Sequence, residues 1–210
     1  MIRVLIVDDH SIVREGVKKV LSSTPDMEIA DEAGDGRDAL RMMREKTYDM
    51  VLLDLALPGM QGLDVLRTIK SEKPHLPVLI LSIYPEEQYA MRVLKEGAAG
   101  YLTKESVPSD LIRAIRKAAQ GGKYVSDALA VQLADRLTGE KIRLPHEDLS
   151  SKEYQVFQMI AAGRTIKEMA GDLSLARTTI STYRSRVLLK LNLRTNAELV
   201  RYALEHNLIL

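Results

Sequence analysis

The 210-residue chain is longer than the usual single domain of roughly 100–150 residues and too short for two large ones, so one medium and one small domain fit best. With 46% apolar and 28% charged residues it reads as globular rather than disordered, and the absence of cysteine excludes disulfides and thiolate metal sites. The net charge of +1 names no partner for the whole chain, and no run approaches the roughly 18 apolar residues of a membrane span.

The first 120 residues alternate short apolar runs with amphipathic stretches. In chain order the runs are Ile2–Val7, Glu28–Ala33, Met50–Leu53, Val78–Leu81 and Ala99–Leu102. The stretches between and after them cover 11–23, 36–46, 62–73, 86–96 and 108–120. Apolar runs without period-two alternation are the mark of strands buried on both faces of a parallel sheet, with helices covering those faces. Five such repeats predict an α/β, doubly wound, flavodoxin-like five-stranded sheet over 1–120. The opening Met1-Ile-Arg-Val-Leu-Ile-Val runs straight into two aspartates, without the cleavage site of a signal peptide, so a cytoplasmic location is expected.

From Gly121-Gly122 onward the pattern weakens. One helix is predicted within 126–137, and 121–148 as a whole reads as a linker. Four segments of helical period follow, at 150–161, 166–173, 177–191 and 196–206, predicting a small all-α domain over 149–210. Ser150 or Ser151 with Glu153, Thr165 with Glu168 and Thr195 with Glu198 supply the starts, and Gly163 the stop of the first.

In a parallel α/β sheet the functional crevice lies beyond the carboxyl ends of the strands. Those ends are acidic here: Asp8 and Asp9 follow the first strand, Asp54 the third. In a 2-1-3-4-5 strand order the first and third strands are neighbours, so three carboxylates converge. Such a cluster persists most easily around a hard divalent cation, for which Mg²⁺ is the natural choice. Ser82 and Lys104 end two further strands at the same edge and add a hydroxyl and a cation. A carboxylate nucleophile, a metal held by its neighbours, a hydroxyl and a lysine make a phosphoryl-transfer site.

These residues resemble a receiver domain. The likeness is carried by Val4-Leu-Ile-Val-Asp8-Asp9-His10, by Leu52-Leu-Asp54-Leu55 with Pro58-Gly-Met-Gln-Gly62, by Leu81-Ser82, and by Gly97-Ala-Ala-Gly-Tyr101-Leu-Thr-Lys104. The resemblance implies that Asp54 accepts phosphate from a sensor histidine kinase. It also implies that Asp8, Asp9, Asp54 and the Ala56 backbone carbonyl hold magnesium, and that Ser82 and Tyr101 relay the switch with Lys104 on the phosphate. Gln61 departs from the commoner acid or Asn, and His10 fits the family's usual start as a loop residue. A phosphatase or phosphotransferase using Asp54 is a rival, but Ala56 stands where such enzymes place a second acid. That leaves an expected non-enzyme with slow magnesium-dependent self-phosphorylation and dephosphorylation.

The span Thr165 to Arg184 reads as helix, turn, helix, with Ile166, Met169, Ala170 and Leu173 inward in the first helix. In the second, Ile180, Tyr183, Val187, Leu188 and Leu191 form one stripe. Thr178, Ser181, Thr182 and Ser185 on the other side are short enough to lie against base edges, while Arg177, Arg184, Arg186 and Lys190 can reach phosphates. Charge agrees: Leu149–Leu210 holds nine Lys and Arg against five Asp and Glu, a net of +4, leaving 21 against 24 elsewhere, a net of −3.

Residues 149–207 resemble the LuxR-type helix-turn-helix of the NarL/FixJ response regulators through Leu149-Ser-Ser-Lys-Glu-Tyr-Gln-Val156, Ile160-Ala-Ala-Gly163, Lys167-Glu-Met-Ala170 and Lys190-Leu-Asn-Leu193. Ser181 and Tyr183 replace a commoner lysine and histidine. The resemblance implies double-stranded DNA as partner, homodimers in the active state, and a final helix whose Ala197, Leu199, Val200, Ala203 and Leu204 are buried in the domain or between copies. A DNA-binding protein that ignores phosphorylation is the second rival, and the complete acidic set counts against it.

Overall fold

The computed structural model describes residues 1–138, 144–173, 175–206 and 208. Part of the expected linker (139–143) and Ser174 in the helix-turn-helix lie outside the described residues. The chain divides into two compact units, Met1–Ala134 and Asp135–Leu210.

The first unit is a five-stranded parallel sheet of β1 (Ile2–Val7), β2 (Met27–Ala33), β3 (Met50–Leu53), β4 (Val78–Ser82) and β5 (Gly100–Thr103), in the order β2-β1-β3-β4-β5. Helices α1 (Ser11–Leu21), α2 (Gly36–Glu45), α3 (Gly62–Glu72), α4 (Glu86–Lys95) and α5 (Val107–Ala119) alternate with the strands, as the apolar runs predicted. All of β3 and β4 is buried, whereas β2 at the sheet edge is largely half-exposed, which is why its start was less sharply drawn in the sequence. On one face Val4, Ile6, Leu52, Leu79 and Leu81 pack with Val17, Leu111 and Ile115 from α1 and α5.

Close approach fixes one glycine at the site. A Cβ on Gly62, the first residue of α3, would lie 2.1 Å from the Asp54 carbonyl oxygen and 2.6 Å from Leu55 Cα. The α3 start therefore lies directly against the backbone that carries Asp54.

The expected linker is divided between the two units. Tyr124 forms a parallel bridge with Gly100 of β5, its N–H donating to the Ala99 carbonyl at 2.8 Å, and α6 (Asp127–Thr138) follows.

The second unit contains a 3₁₀ turn at Pro145–Asp148, then α7 (Ser151–Ala161), α8 (Ile166–Asp172), α9 (Arg177–Lys190) and α10 (Asn196–Glu205). Ser150 with Glu153, Thr165 with Glu168 and Thr195 with Glu198 each close a complete capping box, so all three predicted starts stand. Gly163 ends α7 at φ +78, and Asn192 ends α9 at φ +55. Val156, Phe157, Ile160, Met169, Ile180, Val187, Leu199 and Ala203 are its buried core. The apolar expectations need correction at several positions. Ile166, Leu173 and Tyr183 are only half-buried, and in α10 Ala197 is exposed, Val200 half-buried and Leu204 61% exposed, because the buried stripe narrows to Leu199 and Ala203. Among the described residues no helix is long and apolar enough to cross a membrane.

Candidate functional site

Asp8, Asp54 and Lys104 each directly follow the last residue of their strand and continue the sheet by one step. The Asp8 N–H donates to the Ala33 carbonyl at 3.1 Å, that of Asp54 to Val7 at 2.9 Å and that of Lys104 to Ser82 at 2.8 Å. Their side chains are thus placed by backbone ladders rather than by mobile loops. Asp8 and Asp54 are 1% exposed and Ser82 is fully buried.

The centre of the pocket is Lys104. Its Nζ lies 2.7 Å from Asp8 Oδ2 and donates to Asp54 Oδ2 at 2.7 Å, with its side chain 11% exposed. Burial works against the ammonium charge, but the hydrogen bond to Asp54 and the close negative charges of Asp54 and Asp8 outweigh it and raise the Lys104 pKa above the ordinary lysine value. The other oxygens are oriented from the backbone. Asp54 Oδ1 accepts the Ala56 N–H at 3.1 Å, and Asp8 Oδ1 accepts the His10 N–H at 2.9 Å. His10 Nδ1 sits 2.7 Å from Asp9 Oδ1 and 3.3 Å from Asp8 Oδ1, at the open side of the cluster.

Donor atoms of Asp8, Asp9, His10 and Asp54 all fall within 4.8 Å of one another. Three carboxylates share the cluster with one lysine, which pairs with Asp8 and Asp54, and Asp8 Oδ2 receives no aligned hydrogen bond despite its ion pair with Lys104. A buried carboxylate left in that condition fits a divalent cation bound by oxygen, so the residues present suit magnesium.

Ser82 and Tyr101 adjoin this pocket. The Tyr84 N–H lies 3.4 Å from the Ser82 hydroxyl oxygen, and the fully buried Tyr101 donates its hydroxyl to the Tyr84 carbonyl at 2.8 Å. Burial pushes the Tyr101 phenol well above its usual range, with a hydrogen bond to Ser82 pulling the other way. Tyr84 in turn stacks on Tyr89 of α4, ring centroids 4.7 Å apart.

In the second unit α8 and α9 pack together as the two arms of the helix-turn-helix. Arg177, Thr178, Thr182, Ser185 and Arg186 are exposed along α9, while Ser181 and Arg184 are half-exposed. Arg177 and Arg186 have no ion-pair partner among the described residues, whereas Arg184 Nε donates to Asn196 Oδ1 at 2.7 Å, fixing its stem against α10. Lys190, expected at a phosphate, keeps its side chain 39% exposed while it pairs with the buried Glu153 at 2.6 Å and donates to the Asp148 carbonyl at 3.1 Å. Two of its three donors hold α9 to α7 and the preceding turn. Sequence reasoning missed this clamp because residues so far apart carry no local signal of pairing.

Two family models match the chain: a response regulator receiver domain over residues 4–116 and the luxR family of bacterial regulatory proteins over 147–203. The chain is 34% identical over 209 residues to the response regulator UvrY of Escherichia coli K12, covering 99% of this chain and 96% of that one. It is 33% identical over 210 residues to the response regulator GacA of Pseudomonas aeruginosa, covering 100% and 98%. Among solved structures it is similar to the response regulator RcsB in complex with DNA, with a TM-score of 0.74 and 25% identity over 96% of this chain and 97% of that one. The acidic strand-end pocket and the helix-turn-helix therefore belong together in one lineage: this chain is a member of the NarL/FixJ family of response regulators, a receiver domain joined to a LuxR-type DNA-binding domain.

Proposed function

We propose that Asp54 is the phosphoacceptor of a two-component regulator of transcription, and that its phosphorylation by a sensor histidine kinase controls dimerisation and sequence-specific binding to double-stranded DNA. The observation that carries this reading is Lys104 Nζ held 2.7 Å from both Asp8 and Asp54, a buried cation already in place where a phosphoryl group would add roughly two negative charges. A carboxylate oxygen of Asp54 attacks the phosphorus, the donor's P–N bond breaks as the acyl-phosphate O–P bond forms, and the histidine nitrogen leaves with the electron pair. Lys104 follows the new charge onto a phosphoryl oxygen, and the Ser82 hydroxyl donates to another. Asp8, Asp9, Asp54 and the Ala56 carbonyl would hold magnesium, which neutralises charge building up on the transferring group. With Ala56 two residues beyond Asp54, no side-chain carboxylate there can activate water. Hydrolysis of the acyl phosphate is accordingly slow.

On the DNA side, Thr178, Ser181, Thr182 and Ser185 would face base edges, and Arg177, Arg184 and the one remaining donor of Lys190 would face phosphates. The exposed Leu204 supports a contact between two copies through α10, which would place paired recognition helices on paired half-sites. The test compares wild type with Asp54→Ala for phosphate incorporation by intact mass and for DNA affinity, each with and without acetyl phosphate and magnesium. Wild type alone should take up phosphate and tighten on DNA; equal DNA binding by both proteins under all conditions would overturn the reading.

A further inference from the structure

The segment after α5 is fastened to the first unit at two levels. At the entry end of β5, Lys123 Nζ donates to the Ala98 carbonyl at 2.5 Å and the Tyr124 N–H to Ala99 at 2.8 Å. Because Tyr124 pairs in parallel with Gly100, the chain then climbs alongside β5 toward the pocket edge of the sheet. Two residues later it arrives at Ser126. That hydroxyl donates to Glu86 Oε2 at 2.5 Å and accepts the Leu129 N–H at 3.0 Å. One side chain thus caps the first turn of α6 and ties it to the first residue of α4.

Glu86 is the far end of the short loop that begins at Ser82. Tyr84, between them, touches Ser82 through its N–H and Tyr101 through its carbonyl. A rearrangement of Ser82 toward a phosphoryl oxygen therefore displaces a loop whose other end is bonded to Ser126. Burial holds the Glu86 carboxyl above the usual range and the Ser126 hydroxyl opposes that shift, so the hydroxyl is a favourable partner for a partly desolvated carboxylate.

Resting on the phosphorylation of Asp54 proposed above, we propose that the Ser126–Glu86 hydrogen bond transmits the state of the pocket to α6, with both residues acting by position and neither handling the phosphoryl group. When the loop moves, Glu86 either drags the cap of α6 with it or releases it.

The full-length chain and three variants test this, each with and without acetyl phosphate and magnesium, by amide hydrogen exchange across residues 127–131, DNA affinity and intact mass. Ser126→Ala removes both bonds. Ser126→Asp keeps an acceptor for the Leu129 N–H but cannot donate to Glu86, which separates the tether from the cap. Glu86→Gln keeps an oxygen for the Ser126 hydroxyl. All should incorporate phosphate at the wild-type rate. In wild type and Glu86→Gln, phosphorylation should change exchange at the start of α6. In Ser126→Asp and Ser126→Ala that response should vanish and the phosphorylation-dependent gain in DNA affinity should fall by about fivefold or more. A response in Ser126→Asp equal to that of wild type overturns the proposal while leaving the phospho-switch intact. Absence of phosphate uptake by wild type overturns the Asp54 reading and this proposal together.

Discussion

The Tyr101 hydroxyl donates to the Tyr84 carbonyl across 2.8 Å, from a ring that is completely buried. The bond pins the loop after Ser82 to β5, the strand that leads to Lys104. Tyr101→Phe keeps the ring and deletes the donor, leaving the half-buried Tyr84 carbonyl short of its partner. We expect a loss of about 0.5–1.5 kcal/mol in denaturant unfolding. Phosphate uptake should be unchanged, but the DNA-affinity gain on phosphorylation should shrink. An undiminished gain would show that this contact stabilises the loop without reporting on the pocket.

Lys104 is the one lysine or arginine ion-paired with the two buried aspartates among the described residues. Replacing it by alanine leaves Asp8 and Asp54 facing each other without compensation, which should cost about 3–5 kcal/mol in metal-free buffer. A divalent cation would then be the remaining source of positive charge, so magnesium should raise the thermal midpoint of Lys104→Ala by more than it raises that of wild type. Equal shifts in the two proteins would argue against metal binding by these carboxylates.

Two glycines should respond in opposite directions to the same methyl group. In Gly62→Ala the new Cβ would meet the Asp54 carbonyl at 2.1 Å, and backbone cannot give way as a side chain can. A loss of about 2–4 kcal/mol is expected, with slower phosphate uptake because Asp54 itself must shift. At Gly16, within α1, an added methyl would meet nothing within 4 Å, and Gly16→Ala should gain about 0.5–1 kcal/mol from helix propensity. Urea midpoints of the two variants beside wild type give both answers.

The pocket was legible because parallel sheets expose their strand ends at one edge, so Asp8, Asp54, Ser82 and Lys104 could be placed together from the apolar runs alone. The capping boxes were legible for a similarly local reason, since Thr165 and Glu168 carry the whole motif within one turn. What escaped was contact at long range or on short elements. Tyr124 meets β5 through a single bridge, which has no periodicity to detect, and Glu153 looks like any first-turn acid until α9 brings Lys190 to it. Leu204 failed in the other direction. Helical spacing admitted it to the apolar stripe of α10, but only packing decides how wide that stripe is.

Glu153 gives a pH test of the second unit. Its burial favours the neutral acid, but hydrogen bonds from Lys190 and Ser150 outweigh this and hold the carboxyl below the ordinary glutamate value of 4.5. A depressed native pKa means the unfolded chain takes up the proton first as pH falls. The stabilisation is therefore complete above the ordinary glutamate value and is lost as pH drops below it through the native pKa. Glu153→Gln removes that dependence. At about pH 6.5 the variant should be about 1–3 kcal/mol less stable than wild type, and the gap should narrow by about pH 3.5. A gap that is constant with pH would mean the Glu153–Lys190 pair contributes packing alone.

Arg177 and Lys190 are both basic residues of α9, and the geometry assigns them different work. Arg177 is exposed with no ion-pair partner among the described residues, whereas Lys190 has two donors committed to Glu153 and the Asp148 carbonyl. A phosphate contact reveals itself through counterion release, independent of base sequence. Arg177→Ala should therefore weaken binding to every DNA sequence alike and lower the slope of log affinity against log salt by about 1, with little change in stability. Lys190→Ala should behave in the reverse manner. Glu153 would lose its charged partner inside the fold, costing about 1–3 kcal/mol of stability, while the salt slope changes by clearly less than for Arg177→Ala. Titrations of specific and unrelated duplexes at several salt concentrations, beside urea unfolding of both variants, measure the two effects separately. An equal loss of salt slope in the two variants would mean that Lys190 leaves Glu153 on binding DNA, and that the clamp seen in the free protein opens at the phosphate backbone.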